Sequence, residues 1–305
     1  MKLTEAVQSQ TQKVAIMGLP GSGKTTLAAQ LATAGFRLHW IDIERGSAPL
    51  FKLPAEAQVN VDIITLPDSA VYPIAADTLT TLFKTGAIKV CRTHGKHNCA
   101  LCKKDLAQPA PEAFDSLDFS TLDNKDIVVI DSGTQWSNSI LAHIMKSKPL
   151  DAKPERDDWG ALRKHTEFAL SQMQAARFNL LVIFHAQEAE LETGAKKLVP
   201  VFGSASMSTE VGKAFDHLIY CDIRNRKHVA FSSSVALPNV MTKSRLDFEI
   251  ESLAVPSLVP IFDGSLFSVV PAQQALQASN STLVQSAITP AEQALANLKA
   301  RLNTN

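Results

Sequence analysis

The chain has 305 residues, 45% of them apolar, and its thirty basic and thirty acidic side chains cancel. That is ample material for a substantial core, while a neutral total excludes a general polyanion binder and leaves any nucleic-acid contact to local patches. The first ten residues contain no apolar signal segment, and no stretch approaches the roughly 18 apolar residues of a membrane span. The expectation is a cytosolic (cytoplasmic) protein with no membrane partner, in which four cysteines, three of them between Cys91 and Cys102, point to metal rather than disulfides.

Residues 1–12 read as a loose lead-in. The apolar run Val14-Ala15-Ile16-Met17 predicts a strand, Gly18-Leu19-Pro20-Gly21-Ser22-Gly23-Lys24-Thr25 follows directly, and Thr26 to Ala32 has helical apolar spacing with a stop at Gly35. This is the P-loop pattern. Its glycines let successive backbone N–H groups face a polyphosphate, with Lys24 on the β/γ-phosphates and the Thr25 hydroxyl on a Mg²⁺. Gly18, Pro20, Gly21, Ser22, Gly23, Lys24, Thr25 and Thr26 are therefore the candidate nucleotide-binding residues.

Phe36 to Ile43 predicts a second strand, and Glu44 ends it. A carboxylate at the C-terminal edge of a buried strand beside a P-loop lies where doubly wound sheets bind ligands. It reads either as the general base for a water attacking the γ-phosphate or as a solvated strand-end acid. Another strand is predicted at 60–66 and a mixed helix at 69–83. Between Lys84 and Lys104 stand six basic residues and no acidic one, together with Cys91, His94, Cys99 and Cys102, and with His97 as a competing ligand. Two chelating pairs, each separated by two residues, suit tetrahedral Zn²⁺. A closed zinc site is worth on the order of 10 kcal/mol in small peptides, enough to fold a polar insert. The alternative is a flexible basic insert with incidental thiols, and its lysines read as phosphate contacts or as a solvated charged loop.

Residues 105–125 read as a return linker. Asp126-Ile127-Val128-Val129-Ile130-Asp131-Ser132 is a buried-strand run ending in an acid, the Walker B pattern in which the carboxylate holds Mg²⁺. A helix is predicted from Thr134 to Lys146 and a Pro-interrupted loop over 147–158. A helix from Trp159 to Phe178 follows, whose inner face includes Trp159, read as a packing anchor rather than a base-stacking platform. The strand Asn179 to Phe184 delivers His185 and Gln187 to the same sheet edge, to sense the γ-phosphate or to bond neighbouring loops. An irregular loop is expected at 188–204, a helix near 205–216, a strand at 217–223 and β-rich structure over 228–269. Beyond 270 comes a linker, then an amphipathic helix opened by Thr289-Pro290-Ala291-Glu292, either a partner-binding element or a packed tail.

The order of the P-loop, Trp40-Ile41-Asp42-Ile43-Glu44, Ile127 to Ser132, and Leu181 to Gln187 resembles the RecA-like ATPase core over about residues 13–250. In particular it is similar to compact phage-encoded RecA-like nucleotide-binding proteins associated with single-strand annealing and recombination. The resemblance implies an α/β fold, a RecA-like P-loop NTPase with a mainly parallel central sheet flanked by helices, over 13–269. The Cys/His insert over 84–104 is not part of the general RecA core, and 270–305 would be linker and helix. It implies an ATPase using ATP and Mg²⁺, with Glu44 as catalytic base, Asp131 as the Mg²⁺-binding acid, Gln187 as γ-phosphate sensor and His185 as its rival. Lys243-Ser244-Arg245 is similar to the Lys-x-Arg finger that relatives insert into a neighbouring subunit's ATP site, so Lys243 and Arg245 imply a homo-oligomer, ring or filament. Loops 147–158 and 188–204 sit where the family contacts DNA, which implies single-stranded DNA as partner. The chain departs from bacterial RecA in lacking its large flanking domains. Two other classes share the P-loop: a nucleoside or nucleotide kinase, and an ATP-dependent assembly switch with little turnover.

Overall fold

Strands that are apolar along their whole length cannot face water on either side, and such runs form parallel sheets covered by helices on both faces. In the computed structural model, which describes residues 11–100, 113–191, 194–235, 237–245 and 248–267, these runs make that sheet. The strands are β1 (Lys13–Gly18), β2 (Arg37–Asp42), β3 (Val61–Thr65), β4 (Ala87–Cys91), β5 (Phe114–Asp118), β6 (Asp126–Asp131), β7 (Asn179–Glu190), β8 (Lys196–Pro200), β9 (His217–Arg224) and β10 (Lys227–Phe231). The main sheet runs β10-β9-β1-β7-β6-β2-β3, with β8 paired to β7. The pairs among β9, β1, β7, β6, β2 and β3 are parallel, and β10 and β8 are antiparallel additions. The α/β fold with a mainly parallel sheet is as expected.

The helices that matter to the site are α1 (Lys24–Thr33), α2 (Ile74–Thr85), α3 (Gly133–Met145), α4 (Arg156–Ala175) and α5 (Ala205–Glu210). Helix α3 starts where it does because Ser132 caps it, its Oγ accepting from the Gln135 N–H at 3.1 Å. An aromatic layer backs the sheet: Trp136 of α3 stacks on Phe83 of α2 with ring centroids 5.6 Å apart and meets Phe202 edge-on at 6.0 Å. Phe184 of β7 completes the layer, edge-on to both Phe202 and Phe215 at 5.9 Å.

Several elements differ from expectation. Residues 87–91, read as part of the basic insert, form β4, and residues 114–118, read as linker, form β5 and pair antiparallel with it. Residues 188–204, read as an irregular loop, contain the last part of β7 and all of β8, a two-stranded arm. Both β5 and β8 are polar strands whose pairing carries them, so no apolar run marked them. Helix α4 begins three residues early, and Trp159 is 43% exposed rather than a packing anchor. Of the expected β-rich stretch 228–269, only β10 is a strand among the described residues. Cys102 and the predicted C-terminal helix lie outside the described residues. The chain divides into units of Met1–Ser265 and Leu266–Asn305, and the sites below belong to the first. Among the described residues no helix is long and apolar enough to cross a membrane.

Candidate active site

Parallel strands deliver their C-terminal ends to one edge, and register decides what meets there. Gly18 lies opposite His185 on one side and Cys221 on the other. Asp131 lies opposite Asp42 and Ile183. The P-loop, Glu44, Asp131 and His185 are thereby gathered at a single edge.

The cradle has little room for side chains. A Cβ on Gly18 would lie 2.4 Å from the Cys221 carbonyl oxygen and 2.5 Å from Ser22 Oγ. Gly23, at φ 94°, has a left-handed backbone that glycine adopts without strain, and His228 sits against it, its Nδ1 3.1 Å from the Ser22 carbonyl oxygen. Lys24 is buried, and its Nζ donates to the loop's own carbonyls, Gly18 at 3.0 Å and Leu19 at 2.9 Å. Burial lowers its pKa, opposed by the charges of Asp131 and Glu44. Leu19, Pro20, Gly21 and Thr26 are exposed at the mouth. Beside the loop an apolar recess of about 150 Å³ is lined by Thr26, Leu27, Gln30, Val229, Ala230 and Pro256 among others.

Thr25 Oγ1 donates to Asp131 Oδ2 at 3.2 Å, so the two residues expected to hold Mg²⁺ are already in contact. Asp131 is 3% exposed, and burial, with the charges of Glu44 and Asp42, pushes its pKa up to about 7. A buried carboxyl raised by neighbouring acids is the electrostatic setting that a divalent cation relieves. The two residues are a chemically suitable hard-oxygen pair for Mg²⁺.

Glu44 is held from two sides. Ser132 Oγ donates to Glu44 Oε1, and His185 Nε2 lies 3.0 and 3.1 Å from its two oxygens. Burial alone would raise the Glu44 pKa, but the hydrogen bonds from His185 and Ser132 and the charges of His185 and Lys24 outweigh it and hold it below the usual value. The side chain keeps 28% of its surface exposed, enough for a water to approach.

The structure separates the two sensor candidates. His185 meets Glu44, whereas Gln187, two residues further along β7, points its amide at Ser208 Oγ of α5 at 3.5 Å. Lys243 and Arg245 lie at the N-terminal end of β9, the edge opposite the P-loop, because the Lys243 backbone pairs with Leu218. Lys243 Nζ donates to the Gly212 and Phe215 carbonyls at 2.9 and 2.6 Å, and Arg245 pairs with Asp216 at 2.9 Å. Neither reaches this chain's own nucleotide site. Ser132 and His228 were not among the expected site residues. Ser132 had a visible signal, a capping serine three residues before a glutamine, whereas His228 comes from an edge strand with none.

In the insert, Cys91, His94 and Cys99 place their ligand atoms within 4.8 Å of one another. His97 turns away, its Nε2 3.4 Å from Thr81 Oγ1.

No curated protein matches this chain. Among solved structures, an ATPase from the type III secretion system of pathogenic bacteria is similar at 14% identity and a TM-score of 0.37, a likeness too distant to carry an argument. The match covers 79% of this chain and 61% of that one. The family described as AAA domain matches residues 10–246. That span holds the P-loop, Glu44, Asp131 and His185, and on it the chain belongs to the AAA domain family and carries a P-loop ATPase domain.

Proposed function

We propose that the chain is a Mg²⁺-dependent ATPase acting on single-stranded DNA in annealing or recombination. The observation that carries the hydrolytic part is the Glu44 carboxylate, poised by Ser132 and His185 at the edge shared by Lys24, Thr25 and Asp131. In this reading Lys24 leaves the loop carbonyls for the β/γ-phosphates, and the apolar recess beside α1 takes the base. Glu44 orients and deprotonates the attacking water, and His185 fixes the carboxylate's direction. Thr25 and Asp131 would hold a Mg²⁺ ion, and the chemistry it would supply is neutralisation of charge on the phosphate oxygens.

The DNA part is supported by the motif order and by a cleft of about 250 Å³ lined by Tyr72, Lys96, His97, His143 and Lys146 among others. Lys96 Nζ sits 5.4 Å from the Tyr72 ring centroid, and Tyr72 is 62% exposed. Cations beside an open aromatic face suit a strand offering phosphates and bases. In a homo-oligomer, Lys243 and Arg245 would enter a neighbouring subunit's site by exchanging their present bonds to Gly212, Phe215 and Asp216.

The test is ATP hydrolysis with and without single-stranded DNA at two salt concentrations. Stimulation that fades with salt is the expected result. Lys24→Ala should abolish turnover, and turnover indifferent to both Lys24→Ala and Glu44→Gln would sink the mechanism. Transfer of phosphate to a nucleoside or nucleotide instead of water would establish the kinase class.

A further inference from the structure

The Cys/His cluster lies outside the nucleotide site and is used by nothing described so far. Cys91 ends β4, and the chain turns back on itself at once: the Gly95 N–H donates to the Cys91 carbonyl at 2.8 Å and the Cys91 N–H to the Lys96 carbonyl at 3.0 Å. This tight turn brings His94 over Cys91, and Cys99 returns to the same spot. His94 Nδ1 is 3.6 Å from Cys91 Sγ and 3.5 Å from Cys99 Sγ, and both thiols are buried. The His94 N–H also donates to Cys91 Sγ at 3.3 Å.

These distances distinguish two accounts of the cluster. Two thiols could share hydrogen bonds with one imidazole nitrogen, but Nδ1 has a single in-plane lone pair and serves one S–H donor well, not two. A tetrahedral ion with Zn–S of about 2.3 Å and Zn–N of about 2.0–2.1 Å sets sulfur and nitrogen about 3.6 Å apart, using one lone pair on each ligand. The observed separations are 3.6 and 3.5 Å. Thiolate and imidazole donors suit zinc and not the hard cation of the nucleotide site.

We propose that Cys91, His94 and Cys99 bind a Zn²⁺ ion that fixes the turn carrying Lys96 and His97. The ion would tie the end of β4 to the returning chain, beyond the part of the β4–β5 sheet that Ile88, Val90 and Leu117 anchor in the core. It would thereby hold Lys96 against Tyr72. The inference does not depend on the ATPase reading.

The test uses the full-length protein, purified without chelators and analysed for metal by atomic emission. In parallel, chelator-treated protein is titrated with Co²⁺ and followed by absorbance. One zinc per chain and a thiolate-to-cobalt charge-transfer band are expected. Cys91→Ser and Cys99→Ser should each lose the metal, while His97→Ala and Lys24→Ala keep it. Absence of both zinc and the cobalt band in the wild-type chain would overturn the proposal, even where the cysteine variants fail to fold. Full metal retention by either cysteine variant, or loss in His97→Ala, would overturn the ligand assignment.

Discussion

Glu44 shows how much one side chain's neighbours decide. At the end of a strand it is an ordinary acid. With Ser132 and His185 bonded to it, it is a directed carboxylate that stays ionised at neutral pH. On the proposed reading Glu44→Gln keeps the shape and loses the base, so turnover should fall by about 10²–10⁴-fold while nucleotide affinity, read by equilibrium titration, is retained. His185→Ala acts through Glu44. Removing a partner of the charged form raises the carboxyl pKa, so the acid limb of the pH–rate profile should move to higher pH; an unmoved limb would mean that His185 does not position the base. Glu44 and His185 were each legible as candidates at strand ends, but the pairing of Glu44 with Ser132 and His185 was not, because they lie 88 and 141 residues away in the chain.

Among the elements, β2 and β6 are locked in register at the end remote from the site. Asp126 takes Arg37 Nε and Nη2 at 2.7 and 2.8 Å, His39 Nε2 at 2.9 Å and the Asp123 N–H at 2.7 Å. Burial alone would raise its pKa, but these partners, Arg37 foremost, outweigh it and hold Asp126 well below the usual carboxylate range. A depressed folded pKa contributes stability that is present above the unfolded value, near 3.9, and is lost as pH falls below it. Asp126→Asn should therefore cost about 1–2 kcal/mol at pH 7, less than a buried pair because Arg37 is half exposed. In denaturant unfolding, the gap between variant and wild type should begin to narrow below about pH 4 and close only as pH falls through the depressed folded-state pKa. The strands missed by sequence, β4, β5 and β8, have no such internal signature. Each depends on the strand it pairs with, which is why polar residues such as Lys196, Lys197 and Asp115 gave no warning.

At the scale of the whole molecule, the position of β7 between β1 and β6 is what places His185 beside the P-loop while Asp131 stands one strand further on. The aromatic layer of Phe83, Trp136, Phe184, Phe202 and Phe215 clamps α2 and α3 onto that sheet. Trp136→Ala should cost about 3–5 kcal/mol in unfolding free energy, since Trp136 is 1% exposed and leaves a large cavity. A thermal melt should show this loss as a lowered midpoint.

The sequence by itself determined the phosphate cradle, the buried parallel strands and the acids at their ends, because these depend on local chemistry: glycines that let the backbone close around an anion, apolar runs that cannot face water, and a carboxylate where each run stops. The tertiary structure alone decided which strand ends meet. Strand order and register brought His185 rather than Gln187 to Glu44 and put Lys243 and Arg245 at the far edge. Pairing between distant segments made strands of residues with no apolar pattern. Such contacts link residues far apart in the chain, and no local periodicity records them.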